Sequence, residues 1–313
     1  MRHVASDKDA LIARDLEGGA ERVITDLTSD GSSGWSIHGY SLSPDRRRIA
    51  IASLYGPTKE DTDTGLATRG IWTLATDGTD FRRLTPTFPN RSGGRNSYSI
   101  DVSNPMWTAD GASVIFDYGE YWWEGTTIKG GTFPWVVSAA GGQFPSAVPT
   151  TTACTVLYPS RNPATGDIVF VHSVCIPGSG ASGLYLYPER GSTDPKPLIV
   201  SSRASGGVDV FSGTASWVAD GSGFLFLGST EETNWSPSVL AYDMAGDTAA
   251  MVVPSPAGSS IRNVAASPDG SKFVYCLHDD DTSKEDLHLV DVSKSPPTDT
   301  AITNDGKSCR PSF

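Results

Sequence analysis

One turn motif recurs along the chain, and an apolar run follows each copy. Three copies contain Asp-Gly, at 108–111, 218–221 and 267–270, and a fourth, at 43–46, has Arg46 in the place of the glycine. A degenerate copy without the aspartate lies at 162–166. Copies spaced by roughly 50 to 65 residues indicate an array of similar units, which constrains the fold more than any single residue does.

Each turn precedes two short runs rich in Ile, Val and Phe, which suit half-buried β-strands. The first runs cover 48–54, 113–118, 167–173, 223–228 and 272–277, and the second cover 70–74, 132–138, 183–187, 238–243 and 286–292. A second tight turn and a closing strand, as at 81–85, complete the unit, whose strands we call A to D. No stretch of ten or more residues shows convincing helical periodicity, so the sequence predicts an all-β protein of repeated four-stranded antiparallel sheets, a β-propeller.

The two ends of the chain predict how the ring closes. Residues 309–313 resemble a strand A, whereas 2–6, 10–16 and 22–27 resemble strands B, C and D. Five internal blades plus a first blade closed by the N- and C-terminal strands give six blades, in a single domain of residues 1–313. A shared blade leaves no free sheet edge.

The repeat resembles that of the TolB-like six-bladed β-propeller family. The Ser-Pro-Asp-Gly turn and the segment 70–85 carry the resemblance, which is strong over 41–85 and 263–292, weaker over 105–142 and 216–253, and poor over 154–200. It implies the propeller fold and a possible protein partner in the cell envelope. Oligogalacturonate lyases of this family hold manganese on several channel histidines, whereas this channel is predicted to offer only His38.

Composition narrows the classes of partner and compartment. A net charge of −12 argues against nucleic acid, and no apolar stretch is long enough to span a membrane. The start of the chain leads straight into a strand, so we expect a secreted or periplasmic protein if a leader was removed and otherwise a cytoplasmic one. The protein is predicted to be a monomer without a cofactor. No metal site is expected, because the five histidines fall on different blades or strands.

The four cysteines give two expectations. Cys154 and Cys175 would face each other across the hairpin of the fourth blade, where they form either a disulfide or a pair of buried thiols. Cys276 and Cys309 fall on different blades, so no bridge is expected between them.

Loop lengths predict the face that carries the site. The A–B and C–D turns are short and lie on one face, whereas the B–C and inter-blade loops of the other face are long and irregular, at 55–69, 86–98, 118–131, 173–182 and 228–237. Since scaffolds carry function on variable loops, we place the site on this second face, over the central channel.

Aromatic residues are concentrated in these loops and offer a wall for sugars, other small molecules or peptides. The alternative is that the rings pin long loops onto the blades, and for Trp107 and Trp217 a structural role is favoured. The predicted ligand-binding residues are Trp35, Asn104, Tyr118, Tyr121, Trp122, Trp123, Trp135, Thr214, Trp235 and Asn263.

Strand A of each blade is expected to line the channel, and aligning the turns brings five polar side chains into one ring. His38 is the candidate for proton transfer, with Asp101 or Tyr158 as helpers, while Arg262 and Arg310 could hold an anionic or carbonyl-bearing ligand. The alternative is a polar, water-filled channel without catalytic value. The leading hypothesis is therefore metal-free binding of a small molecule, glycan or peptide. The rival is a metal-free cyclase or lyase acting on a small molecule or saccharide in the same pocket.

Overall fold

The computed structural model describes residues 1–5, 8–16, 19–26, 37–53, 69–86, 88, 96–151, 154–173, 175, 180–202, 207–211 and 213–313. These residues form antiparallel sheets, each from consecutive segments of the chain. An N-terminal sheet has three strands, and the next five sheets, blades 2 to 6, have at least four each. The prediction of an all-β propeller with four-stranded antiparallel blades is confirmed for these five.

The strands of the six sheets have the following bounds, in chain order. The N-terminal sheet contains β1 (Arg2–Ala5), β2 (Lys8–Arg14) and β3 (Glu21–Asp26); blade 2 contains β4 (Ile37–Leu42), β5 (Arg48–Ser53), β6 (Gly70–Ala75) and β7 (Arg82–Arg83); blade 3 contains β8 (Asn96–Trp107), β9 (Ser113–Glu124), β10 (Thr127–Ser138) and β11 (Ser146–Ala147). Blade 4 contains β12 (Thr155–Arg161), β13 (Ile168–Ser173), β14 (Gly183–Tyr187) and β15 (Lys196–Val200); blade 5 contains β16 (Asp209–Val210), β17 (Ser216–Trp217), β18 (Gly223–Ser229), β19 (Ser238–Asp243) and β20 (Thr248–Val253); blade 6 contains β21 (Ser259–Ala266), β22 (Lys272–Asp279), β23 (Glu285–Asp291) and β24 (Thr298–Ala301). A single turn of 3-10 helix covers Glu231–Thr233.

The recurrent turns close through side-chain hydrogen bonds that lie within a few residues of each other. In blade 6, Oδ1 of Asp269 accepts the backbone N–H of Ser271 at 3.1 Å and the hydroxyl of Ser267 at 2.6 Å. Asp45 and Asp110 make the same pair of bonds in blades 2 and 3. An aspartate that satisfies the backbone two residues ahead fixes a tight turn without tertiary help, which is why the motif was visible in the sequence.

Two copies of the turn depart from the motif, and another residue takes the role of the missing aspartate or glycine. In blade 4, Oδ1 of Asn162 accepts the N–H of Ala164 at 2.8 Å, the kind of side-chain-to-backbone hydrogen bond that the aspartate makes in the other turns. In blade 2, Arg46 adopts a φ of 58°, in the left-handed region where the other copies have glycine.

The hydrophobic cores lie between successive sheets. One cluster joins the N-terminal sheet to blade 2 through Leu11 and Ile51, and the next joins blade 2 to blade 3 through Ile71 and Phe116. Three further clusters join blades 3 to 4, 4 to 5 and 5 to 6. Blades 2 to 5 thus bury both faces of their sheets, and the innermost strands are held around a common centre.

The predicted structural role of two strand-A tryptophans is confirmed. The buried indoles of Trp107 and Trp217 donate their Nε1–H to carbonyl oxygens of the preceding blade, Ser41 at 3.2 Å and Ser160 at 3.2 Å respectively. They therefore tie neighbouring blades together close to the centre of the ring.

The C-terminal segment reaches the N-terminal sheet but is not the regular strand that the sequence predicted. Residues 309–313 form no strand; Ser308 pairs with Arg2 in an isolated antiparallel bridge, and the N–H of Cys309 donates to the carbonyl of Met1 at 3.1 Å. The segment is also held to blade 6 by a disulfide between Cys276 and Cys309, which the sequence reading did not expect. That reading was wrong because it took different blades to mean distant side chains.

The predicted hairpin contact in blade 4 exists as a disulfide between Cys154 and Cys175. The prediction of an irregular loop at 118–131 is wrong, however. Residues 118–131 of blade 3 continue the β9–β10 ladder without a register shift up to the pair Glu124 and Thr127. Cross-strand pairing satisfies the backbone there, so the segment is an extended hairpin with a two-residue turn at its tip.

Candidate functional site

A central cavity of about 740 Å³ lies inside the ring. It is bounded by the innermost strands of blades 2 to 6 and by the C-terminal tail, which includes Arg310 and Phe313. The lining extends to the A–B turns, with Pro44, Pro163 and Pro268 among its residues. The cavity therefore reaches the face opposite to the one on which the sequence analysis placed the site.

The innermost strands share a backbone irregularity where they border this cavity. Their pairing with strand B shifts register after Ile37, Ser103, Leu157 and Ile261. Asn104, Tyr158 and Arg310 occupy the aligned positions with φ between 48° and 58°. The aligned residue of blade 2 is Gly39, with φ 145°, where an added Cβ would come within 3.0 Å of the Asn104 nitrogen.

These irregularities turn side chains and backbone groups of the innermost strands toward the centre. Aligning the turns in the sequence predicts the same strand-A positions as lining the channel. Of the predicted residues, six line the central cavity: Asn104, Tyr158, Thr214, Arg262, Asn263 and Arg310.

A buried carboxyl group that the sequence reading missed supports two of these positions. Asp117 lies on β9, fully buried, and its Oδ2 accepts the backbone N–H of Tyr158 at 2.9 Å and the side-chain N–H of Asn104 at 2.8 Å. Its Oδ1 is buried without a hydrogen-bond partner in the described part of the chain. Burial raises the pKa of Asp117 to about 7, and the charge of Asp101 adds to this rise, while the two hydrogen bonds oppose it.

A signal for this residue was present in the sequence. Asp117 interrupts the run Val-Ile-Phe-Asp-Tyr of strand B in blade 3, where the neighbouring positions are buried. A carboxylate inside an apolar strand must be paired or functional, because an unpaired buried charge is costly. Hydrogen bonds from Asn104 of the same blade and from Tyr158 of blade 4 explain how it is accommodated.

His38 and Asp101 lie close enough for their charges to interact but do not line the central cavity. His38 is on β4 and Asp101 on β8, both partly buried. Burial lowers the pKa of His38; Arg310 lowers it further, whereas Asp101 raises it. The imidazole is therefore mostly neutral at neutral pH and able to accept a proton.

The two predicted arginines differ in their partners. Arg262 is paired with Glu285, Nη1 to Oε1, at 2.9 Å. Arg310 donates from Nη1 to the carbonyl of Ile37 at 2.8 Å and forms no ion pair with a carboxylate of the described residues. The hydroxyl of Tyr40 in turn donates to the Arg310 carbonyl at 2.7 Å. Within the described residues, Arg310 is thus anchored by neutral groups, and its guanidinium borders the cavity.

The aromatic residues predicted to bind ligand do not line this cavity, as far as they belong to the described residues. Tyr118 is buried in the core between blades 2 and 3, with its ring 4.9 Å from Phe88 and 4.7 Å from Trp135 between centroids. Tyr121 is bonded through its hydroxyl to Thr132. These rings pack blade 3 together, which is the alternative that the sequence analysis left open.

The remaining aromatic candidates are more exposed and lie apart from the cavity. Trp122 donates its Nε1–H to Glu124 at 3.1 Å, and Trp123 is 42 % exposed near the tip of the β9–β10 hairpin. Trp235 is partly buried after the 3-10 turn of blade 5. Trp35 lies outside the described residues.

One group of side chains could hold a metal ion. A carboxylate oxygen of Glu285 and the sulfur atoms of Cys276 and Cys309 all lie within 4.8 Å of one another, although the two sulfurs form a disulfide. Glu285 and Cys309 border a second cavity of about 210 Å³, next to Asp9 and Lys307.

The comparisons with known proteins bear on the fold. No protein-family model matches the chain, and no curated protein matches it in sequence. TolB from Acinetobacter baumannii is similar in structure, with a TM-score of 0.62 and 17% identity over 97% of this chain and 62% of that one. A putative TolB from Agrobacterium tumefaciens gives 0.58 and 13%, over 91% and 84%. An oligogalacturonate lyase from Vibrio parahaemolyticus gives 0.50 and 11%, over 96% and 88%.

Five sheets of at least four strands around a polar centre define a β-propeller protein. Its fold is TolB-like, as the recurrent turn and the segment 70–85 indicated. The chain spans 62% of the length of the Acinetobacter TolB that it matches. In the described residues there is no helix with the length and apolarity needed to cross a bilayer.

Proposed function

We propose that this propeller binds a small organic acid, an acidic glycan or the free carboxylate of a peptide in its central cavity. The observation that carries the proposal is the charge of the lining. Among the described residues that border the cavity, every charged side chain is an arginine, namely Arg46, Arg161, Arg262 and Arg310, in a chain of net charge −12. Guanidinium groups gathered in a concave site attract carboxylates and bind them in a bidentate fashion.

The volume and the neutral groups of the cavity support the same class of ligand. About 740 Å³ is within the range of small-molecule sites. Amide and hydroxyl groups of Asn104, Thr214 and Asn263 supply hydrogen bonds around the charge. Among the arginines, Arg310 is the proposed anchor, because Arg262 is already neutralised by Glu285.

Calorimetric titration with a panel of mono-, di- and tricarboxylates, uronic acids and short peptides tests the proposal. For an acid that binds, Arg310→Gln should weaken binding roughly 10- to 100-fold, the share of a charge-assisted hydrogen bond. Glutamine keeps an N–H for the Ile37 carbonyl, so the fold should persist. Arg190→Gln, the same charge change at an exposed residue outside the cavity lining, is the matched control. Equal effects of both variants, or no binding of any acid, contradict the proposal.

An enzyme that uses the same cavity is the second candidate. His38 supports it although it does not line the cavity: it directly precedes the cavity-lining Gly39, the charges of Asp101 and Arg310 act on its imidazole, and its lowered pKa keeps the ring mostly neutral. A bound acid should then be converted, which mass spectrometry of long incubations detects. His38→Ala should abolish conversion and keep binding; unchanged conversion would remove His38 from the mechanism.

We further propose that the three-stranded N-terminal sheet and the C-terminal segment complete a sixth blade of one monomeric domain, 1–313. The Arg2–Ser308 bridge and the Cys276–Cys309 disulfide support this closure. Two disulfides also favour an oxidising compartment, secreted or periplasmic. A partner protein in that compartment would engage the cavity through an acidic or C-terminal peptide. Hydrogen exchange tests the closure: deleting 307–313 should deprotect β1 and leave blade 4 unchanged, and equal protection of β1 contradicts it.

A further inference from the structure

Metal-ligating side chains surround the Cys276–Cys309 disulfide. Cys276 is on β22, Glu285 is on the neighbouring strand β23, and Cys309 belongs to the C-terminal segment. Both cysteines are buried, and the three potential ligand atoms lie within 4.8 Å of one another. Because the two sulfurs are bonded to each other, they could ligate a metal ion together with the carboxylate only after reduction to thiolates.

His278 lies next to this group and contacts its carboxylate. It follows Cys276 by two residues on β22, so both side chains are on the same face of the sheet, and it pairs directly with Glu285 across the ladder. The imidazole is 8% exposed, and its Nδ1 lies 3.6 Å from Oε1 of Glu285. This nitrogen is buried and makes no hydrogen bond in the part of the chain that the structure describes.

We propose that Cys276, His278, Glu285 and Cys309 bind one zinc ion when the disulfide between the two cysteines is reduced. Two thiolates, an imidazole and a carboxylate are the ligand types that tetrahedral zinc prefers. Thiolate ligands also discriminate against calcium and magnesium, which take oxygen ligands. The same two sulfurs thus form either a covalent bridge or half of a metal site.

The conversion needs a dithiol reductant. The dithiol attacks the disulfide, transfers two electrons and two protons to the protein sulfurs, and is itself oxidised to a disulfide. Zn²⁺ then displaces the two thiol protons, which are released to solvent. Glu285 can ligate the metal through one carboxylate oxygen while the other keeps its ion pair with Arg262, which measures 2.9 Å from Nη1 to Oε1 in this structure. The guanidinium of Arg262 offsets the negative charge of the site.

The location of the site provides access and a structural consequence. Glu285 and Cys309 border the cavity of about 210 Å³, which offers a route for reductant and metal. Cys309 directly precedes Arg310, so the bridge and the metal hold the same segment. The inference stands apart from the proposed ligand-binding function, since it concerns metal affinity alone.

Cobalt titration of the whole chain tests the site. The protein is reduced with a phosphine without oxygen, and thiol titration verifies four free thiols from its four cysteines. Added Co²⁺ should give a thiolate-to-cobalt charge-transfer band that saturates at one equivalent and disappears on addition of Zn²⁺. The oxidised protein should give no such band. Absence of the band in the fully reduced protein overturns the proposal.

Variants separate this site from the other cysteine pair. C276S/C309S should lose the band, whereas C154S/C175S should retain it. Because C276S/C309S also lacks the disulfide, His278→Gln and Glu285→Gln provide a second measurement in proteins that keep both cysteines. Each should weaken cobalt affinity by at least about tenfold, the smallest effect usual even for groups outside the ligand shell. His288→Gln, on the same blade, is the matched control; an affinity loss equal to that of His278→Gln, or none in either, overturns the assignment.

Discussion

The buried carboxyl of Asp117 makes the stability of this propeller depend on pH in a direction that can be calculated. Its pKa in the folded protein is about 7, against an ordinary value of 3.8, because burial disfavours the charged form. Between these values the folded protein holds a proton that the unfolded chain has released. Stability therefore falls as pH rises through this window and levels off above about pH 7.

The size of the effect follows from the shift. At about 1.4 kcal/mol per pKa unit, the rise from 3.8 to about 7 corresponds to roughly 4 kcal/mol. Asp117→Asn removes the titration and keeps an oxygen that can accept from Tyr158 and Asn104. Relative to the native protein, the variant should gain about 4 kcal/mol of stability between about pH 4 and pH 8. Any cost of the new amide hydrogens is the same at every pH and cancels in this difference.

Urea denaturation of both proteins at a series of pH values measures this difference directly. The comparison removes the contributions of all other titrating groups, provided that the slope of the denaturation curve is the same for the two proteins. A stability difference that does not change with pH would falsify the claim that Asp117 is buried and neutral in the folded state.

Two further predictions concern local features. Asp269→Asn should show the opposite pH trend, because hydrogen bonds from Ser267 and Ser271 lower the pKa of the Asp269 carboxyl to about 2. The ionised carboxylate therefore stabilises the fold above its ordinary pKa, and this stabilisation is lost as pH falls toward about 2. In urea denaturation the variant should be less stable than the native protein by an amount that shrinks over that pH range, and a constant difference contradicts this. C154A/C175A removes a disulfide between cysteines that are 21 residues apart in sequence. Under oxidising conditions the free energy of unfolding should fall by about 3 kcal/mol relative to the native protein, and it should not differ when both proteins are fully reduced. A difference that persists after reduction contradicts the loop-closure argument.

The sequence predicted those parts of the fold that depend on neighbours along the chain. The Asp turns, the alternating strands and the hairpin contact of Cys154 with Cys175 are all set within a few residues or one hairpin. The alignment of the innermost strands rests on the same local information, since each strand lies at a fixed distance before its turn. It places Asn104 beside Arg310, whereas their shared left-handed backbone conformation is visible only in the structure.

The site was predicted less well, because several of its contacts join different blades, as between Asp117 and Tyr158. Asp117 was missed although its apolar neighbours marked it, and Tyr118 was assigned to a ligand although it packs in the core. The segment 118–131 was read as a loop because its glycines and polar residues weaken the strand pattern, and only pairing with the opposite strand reveals the hairpin.

The sequence alone thus determined the repeated unit, its turns and the all-β class, because hydrogen bonds and side-chain alternation over short distances decide them. The tertiary structure decided what the assembled ring brings together: the arginine-lined cavity, the neutral pocket of Asp117 and the Cys276–Cys309 pair. Those arrangements depend on the angle between successive sheets and on how closely each sheet packs against the next. Packing of this kind is set by the sum of many contacts between distant residues, and no short segment contains it.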